Sequence, residues 1–320
     1  MGAPSEAPSP APAVAVRDFT KRFGDVTAVD GVTFEVAPGE LFGFIGPDGA
    51  GKTTLFRTMV TLLVPDAGSV QVLGLDVVRD LWELRTRVGY MPGRFSLYPD
   101  LSARENLQFF ASVFGTSVEA GMRIIEPIWR QLAPFASRRA GALSGGMKQK
   151  LALCCALVHA PDILFLDEPT TGVDAVSRKE FWDLLDRLRD GGLTIVVSTP
   201  YMDEASRCDR VALVQKGKIL LVDEPTAIGR GYPNPLFAVR APDRLGVLEM
   251  LRRFPHAAAA WPFGEVVHYT DARTDVAVDA IAAELLAFAR QAGMTDLALH
   301  PTAASIEDAF MWHMVREEAA

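Results

Sequence analysis

Residues 46–53 read Gly46-Pro47-Asp48-Gly49-Ala50-Gly51-Lys52-Thr53, a complete G-x-x-x-x-G-K-[ST] pattern. Its flanks constrain the fold as much as the motif does. The apolar run Leu41–Ile45 reads as a buried strand, and Thr54–Met59 continues the loop as a helix. A strand that turns through glycines into a helix leaves backbone N–H groups free to curl around the β- and γ-phosphates of a nucleotide. Lys52 supplies a point charge, the Thr53 hydroxyl can ligate Mg²⁺, and the helix N-terminus adds partial positive charge. Residues Gly46 to Thr54 are therefore the expected site for a nucleoside triphosphate.

The bulk properties narrow the class. A chain of 320 residues accommodates one large domain and a small one, and 49% hydrophobic residues suffice for a sizeable core. A net charge of −8 argues against nucleic acid as the main partner, because phosphate backbones demand basic surfaces. No apolar run reaches the roughly 18–20 residues of a membrane span, and the N-terminus lacks a secretory signal pattern. Cys154, Cys155 and Cys208 form no C-x-x-C pair and read as free thiols. The expectation is a cytoplasmic chain.

Residues 1–13 are almost entirely Ala, Pro, Ser and Glu, a composition that builds no core and predicts a disordered tail. From Val14, strand-like segments recur at 14–19, 33–36, 41–45, 70–73, 88–91, 163–167, 194–198, 211–215 and 218–222. Helical stretches separate the later ones, the alternation of an α/β fold with a mostly parallel sheet. Residues 101–140 are helix-prone without a good strand, which predicts a helical insertion spanning about 94–155. The turn-rich run 229–235 reads as a linker closing a first domain over 14–228. Residues 236–320 follow a strand–helix–strand–strand–helix–strand order, that of a small ferredoxin-like α+β domain. Its helices carry Leu245, Leu248 and Leu251 on one stripe and Val278, Ile281, Leu285 and Phe288 on another. A last helix starts at Ser305, with Asp308 completing a capping box.

The second chemical motif is the apolar strand Ile163–Leu166 ending in Asp167-Glu168. Beside a phosphate loop, Asp167 would meet the Mg²⁺ held by Thr53, and Glu168 would reach the γ-phosphate and activate water as the catalytic base. Leu221-Val222-Asp223-Glu224-Pro225-Thr226 mimics this motif but lacks its Gly-Val-Asp continuation, so it reads as an ordinary strand end.

A third motif, Leu143-Ser144-Gly145-Gly146-Met147, is close to the LSGGQ signature, and Asp167–Asp174 resembles a Walker B strand with its D-loop. With Phe23 at the adenine-stacking position, residues 14–228 resemble an ATP-binding cassette (ABC) transporter ATPase subunit. The resemblance implies a P-loop fold and a head-to-tail dimer, homo or hetero, sandwiching ATP and Mg²⁺. Ser144, Gly145 and Gly146 would then grip the partner cassette's γ-phosphate. It also implies integral-membrane permease subunits and a place at the inner face of the membrane.

Two departures from that pattern stand out. The Q-loop Gln after Met91-Pro92 is replaced by Gly93, and the H-loop His after Val197-Ser198-Thr199 by Pro200. His159 precedes Walker B and cannot substitute. The stretches 98–107, 201–205 and 305–310 resemble export ATPases of the daunorubicin-resistance type, including N-terminal halves of two-cassette proteins that lack the same histidine. The expected function is an ATPase powering export. The alternative is a nucleotide-binding cassette with little hydrolysis, acting as a degenerate half or a regulator.

Overall fold

The computed structural model describes residues 11–93 and 96–319. Most of the expected disordered tail, and Arg94 and Phe95 of the Q-loop stretch, lie outside the described residues. The chain divides into two compact units that meet between Pro225 and Thr226.

In the first unit, β1 (Val14–Phe23) and β2 (Val26–Val36) form a hairpin, followed by β3 (Leu41–Ile45) and α1 (Lys52–Met59). The chain continues through β4 (Ala67–Val72), β5 (Leu75–Asp76), α2 (Leu81–Arg87) and β6 (Val88–Met91). Three helices come next: α3 (Ala103–Val113), opened by a Ser102/Glu105 capping box, α4 (Val118–Leu132) and α5 (Gly145–Leu157). Then follow β7 (Ile163–Asp167), α6 (Ala175–Asp190), β8 (Thr194–Thr199), the short α7 (Met202–Ala205), β9 (Arg210–Gln215) and β10 (Lys218–Asp223).

The central sheet has six strands in the order β10-β9-β3-β8-β7-β6, with only the β9–β10 edge pair antiparallel. Every residue of β3, β7 and β8 is buried, as strands covered on both faces must be. Phe56 of α1 stacks edge-on against Phe44 of β3 at 5.8 Å and Phe165 of β7 at 6.0 Å. That packing locks the helix that follows the phosphate loop beneath both strands that feed the site.

The expectation of one mostly parallel sheet needs a correction. The early segments 14–19, 33–36 and 70–73 belong to a separate antiparallel sheet of four strands, β2-β1-β4-β5. The reason is local. Gly24, at φ +57°, closes a tight turn between β1 and β2, and no helix intervenes to allow a parallel return. Of the mimic, Leu221–Asp223 end edge strand β10, paired antiparallel to β9, while Pro225 and Thr226 open a short helix.

The second unit takes up α8 (Pro225–Arg230) from Thr226 onward, followed by β11 (Leu236–Arg240), α9 (Arg244–Arg252), β12 (Ala257–Phe263), β13 (Val266–Asp271), α10 (Val278–Gln291), β14 (Ala298–Pro301) and α11 (Ile306–Ala319). Its all-antiparallel sheet runs β12-β13-β11-β14, the ferredoxin-like order. The run expected as a linker is tied into this unit. Gly229 lies within α8, Tyr232 hydrogen-bonds Thr270 at 2.7 Å, and Asn234 donates to the Asp271 carbonyl at 2.8 Å. Two stripe positions also differ. Leu245 is 71% exposed and Val278 39%, each in the first turn of its helix. Val247, Leu248, Met250 and Leu251 fill the α9 side instead. The Ser305/Asp308 capping box forms, with Ser305 N donating to Asp308 at 2.8 Å and Asp308 N to Ser305 Oγ at 3.2 Å.

Candidate active site

Parallel strands deliver their C-terminal ends to one edge of a sheet, and here that edge collects the motifs. Ile45 of β3 pairs with Thr199 of β8, Ser198 with Asp167 of β7, and Leu166 with Met91 of β6. The phosphate loop, the acidic pair, the Pro200 segment and the Pro92-Gly93 segment thus leave adjacent strands side by side.

Pro47, Asp48 and Gly49 stand exposed at the crest of the phosphate loop, while Gly46 and Ala50 are buried at its base. Gly51 adopts φ +104°, and a Cβ there would meet the Ala28 carbonyl at 2.5 Å, so only glycine fits. Thr53 and Thr54 occupy the first turn of α1, whose N–H groups open toward the loop. Lys52 is buried. Its Nζ donates to the carbonyls of Gly46 at 2.8 Å and Pro47 at 3.0 Å and pairs with Glu168 Oε1 at 3.3 Å. One cation therefore joins the loop to the acidic strand end.

Asp167 is 3% exposed, and its Oδ1 accepts a hydrogen bond from Ser198 Oγ at 2.7 Å. Glu168 follows at φ +51°, a left-handed conformation that a long side chain rarely adopts. Thr171 Oγ1 approaches Glu168 Oε2 at 3.5 Å. The donor set suits Mg²⁺, since the Thr53 hydroxyl and the Asp167 carboxylate are hard oxygens that leave the remaining positions to phosphate and water. Tyr90 lies nearby on β6, where burial and the Asp167 charge push its phenol up to about 12. It stays neutral across the physiological range.

Ser144 caps α5, its Oγ accepting the Met147 N–H at 3.3 Å. Ser144 and Gly145 face solvent, while Gly146 packs so closely on α6 that a Cβ would lie 2.5 Å from Ser177 Oγ. Phe23 ends β1 with 47% of its surface exposed, and the Lys21 ammonium lies 5.6 Å from its ring centroid. His159 stacks on Phe114 at 3.7 Å between centroids and contacts the Val88 carbonyl at 3.1 Å. Those contacts hold it away from the strand edge that carries the acids.

Gly93 abuts the acids, and a Cβ there would lie 2.9 Å from the Asp167 carbonyl and 3.8 Å from Glu168 Cβ. Sequence reasoning passed over Ser198, Thr170 and Glu204. Thr170 Oγ1 donates to Glu204 Oε1 at 2.6 Å, and Thr199 Oγ1 donates to Glu204 Oε2. Their signal in the chain is slight: a Ser-Thr pair closing an apolar strand, and one of the two acids in a four-residue helix. An apolar groove of about 480 Å³ lies elsewhere, lined by Val60, Leu62, Trp82, Phe110, Val113 and Cys155 among others.

Residues 29–171 match the ABC transporter family. The chain is 44% identical over 232 residues to the probable multidrug ABC transporter ATP-binding protein YbhF of Escherichia coli (strain K12), a match covering 72% of this chain and 39% of that relative. The chain thus spans well under half the length of YbhF. It is 41% identical over 215 residues to Nod factor export ATP-binding protein I of Burkholderia lata, covering 66% of this chain and 71% of that one. Among solved structures, an ATP-binding subunit of an ABC transporter superposes with a TM-score of 0.63 at 27% identity, over 69% of this chain and 93% of that one. A dimeric ATP-binding cassette, MJ0796, in a post-hydrolysis state bound to ADP and Pi, gives a TM-score of 0.59 at 25% identity, over 66% and 98%. Relatives of this identity and coverage, together with a strand edge that gathers the phosphate loop and the acids, show that the chain belongs to the ABC transporter family.

Proposed function

We propose that the chain binds and hydrolyses ATP as the ATP-binding subunit of an exporter, closing with a second cassette around nucleotide and working on a separate membrane permease. The observation that carries this reading is Lys52, which bridges the phosphate loop and Glu168 within 3.3 Å. A cation already held between two carbonyls and a carboxylate can exchange these partners for phosphate oxygens without a large rearrangement. Gly46 to Thr54 cradle the phosphates, Phe23 stacks the adenine, and Thr53 and Asp167 hold Mg²⁺. Bound Mg²⁺ would neutralise charge developing on the phosphates. Glu168, released from Lys52, accepts a proton from the attacking water.

Ser144 and Gly145, exposed at the start of the 13-residue α5, are free to meet the nucleotide of a second cassette, where the helix dipole favours anions. Among the described residues no helix is long and apolar enough to cross a membrane. The relatives' names speak of multidrug and Nod factor export, and the exposed Trp82, Leu62 and Val113 at the apolar groove offer a seat for a permease segment. The test is Lys52→Ala in the full chain, titrated with a fluorescent ATP analogue. Affinity should fall by about 100-fold or more with the fold intact, as expected for loss of a charge-assisted contact. Unchanged affinity would overturn the reading.

A further inference from the structure

Behind the acids, two chain segments, 167–170 and 198–204, are tied together by side chains that the sequence motifs do not include. Ser198 is fully buried and makes three bonds at the acidic strand end. Its Oγ donates to Asp167 Oδ1 at 2.7 Å and accepts the Glu168 N–H at 3.0 Å, while its carbonyl accepts the same N–H at 3.1 Å. The first bond occupies one oxygen of the Asp167 carboxylate and fixes the direction of the other. The shared N–H bond holds Glu168 in its left-handed backbone conformation, which a long side chain would otherwise leave for a common one.

A second tie lies one turn further on. Glu204, 3% exposed, accepts from Thr170 Oγ1 at 2.6 Å and from Thr199 Oγ1, and Arg178 Nε lies 3.7 Å from its carboxylate. Thr199 Oγ1 also accepts the Tyr201 N–H at 3.0 Å, and the Arg178 guanidinium covers the Tyr201 ring at 4.5 Å. Pro200 lies between these anchored neighbours and has neither an N–H nor a polar side chain to contribute. The strand end that carries Ser198 is therefore held by residues on both sides of position 200.

We propose that Ser198 and Glu204 are positioning residues of the ATPase reaction. Ser198 sets the Asp167 and Glu168 carboxylates, and Glu204 clamps the segment carrying Ser198 against the strand end carrying the acids. The proposal rests on Glu168 acting on this chain's own nucleotide.

The test uses the full chain with Ser198→Ala, Glu204→Gln and Glu204→Ala. Affinity for a non-hydrolysable ATP analogue is measured by calorimetry with Mg²⁺ and with a chelator, alongside ATPase kinetics and thermal unfolding. Ser198→Ala should lower kcat about 10- to 100-fold, the range for losing one hydrogen bond to a charged group, with KM for ATP within about threefold. It should also shrink the gain in affinity that Mg²⁺ provides about fivefold, leaving the metal-free affinity unchanged. Glu204→Gln keeps the shape but leaves one acceptor oxygen for two threonine hydroxyls, so its kcat should fall below the parent's while staying above that of Glu204→Ala, which strands both hydroxyls. Parental kcat and Mg²⁺ response in Ser198→Ala would overturn the proposal, as would a raised KM with unchanged kcat. If Glu204→Ala fails to fold, equal kcat for Glu204→Gln and the parent would remove Glu204 from it. A parent without turnover would refute the ATPase reading instead, and the Mg²⁺ response would still decide Ser198.

Discussion

Glu168→Gln should change this protein in two opposite directions, and the structure indicates by how much. Glu168 Oε1 and Lys52 Nζ lie 3.3 Å apart. At an effective dielectric of about 20, two unit charges at that separation attract by about 5 kcal/mol. Most of this is offset, because the lysine is buried and must be desolvated, while the Glu168 side chain remains 24% exposed and screened. A net contribution of about 1–2 kcal/mol remains. The amide is isosteric but uncharged, so the nucleotide-free variant should lose about that much stability. The same loss frees Lys52 for phosphate, so ATP affinity should rise about 5- to 30-fold, the equivalent of that free energy. Turnover should fall at the same time, because the base is gone. The assay is calorimetric unfolding of parent and variant, without nucleotide and at saturating Mg-ATP, with analogue binding and ATPase rates on the same samples. An unfolding temperature below the parent's without ATP, with that deficit cancelled at saturating Mg-ATP, is the expected signature. A variant that hydrolyses at the parental rate, or binds ATP no more tightly and unfolds unchanged, would refute both the ion pair's role and the assignment of the base.

Position 93 tests how tightly the acids are packed. Gly93→Ala adds only a Cβ, 2.9 Å from the Asp167 carbonyl, and the forced shift should cut turnover about tenfold with ATP affinity retained. Unchanged kcat would show that the approach is not limiting. By contrast, Pro200→His supplies a side-chain donor where proline has none and should raise turnover about tenfold, so no gain with ATP bound would mean that position 200 does not limit the chemistry. In the second unit, buried Asp308 accepts from Ser305 and Trp261 and pairs with His268 Nδ1 at 2.6 Å. Burial disfavours its charge, but the bonds from His268 and Ser305 outweigh that and hold its carboxyl below the usual range. A depressed carboxylate contributes stability above its unfolded value near 3.8 and loses it as pH falls through the folded value. Asp308→Asn should therefore cost about 3 kcal/mol at neutral pH, and the gap between variant and parent in thermal unfolding should narrow below about pH 4. A gap independent of pH would contradict this.

The sequence by itself determined the local features. The eight-residue loop between an apolar strand and a helix, the acids after Ile163–Leu166, and the strand–helix order after residue 236 are written in contiguous residues. They depend on backbone propensity, burial and turn chemistry within a few positions. The fully buried strands β3, β7 and β8 were legible because a strand covered on both faces is apolar throughout. The tertiary structure decided what depends on pairing across distance. That β1, β2 and β4 form their own antiparallel sheet follows from which strands meet, and single-strand patterns do not encode their partners. Ser198 reaches Asp167 only because β7 and β8 pair in register, 31 residues apart in the chain, and Glu204 meets Thr170 across 34. Lys52 likewise touches Glu168 only because β8 lies between β3 and β7 and brings their ends to one edge. A serine in an apolar strand or a glutamate in a short helix carries no mark of such a role, because hydrogen bonds that orient a carboxylate are set by angstroms of geometry and not by residue type.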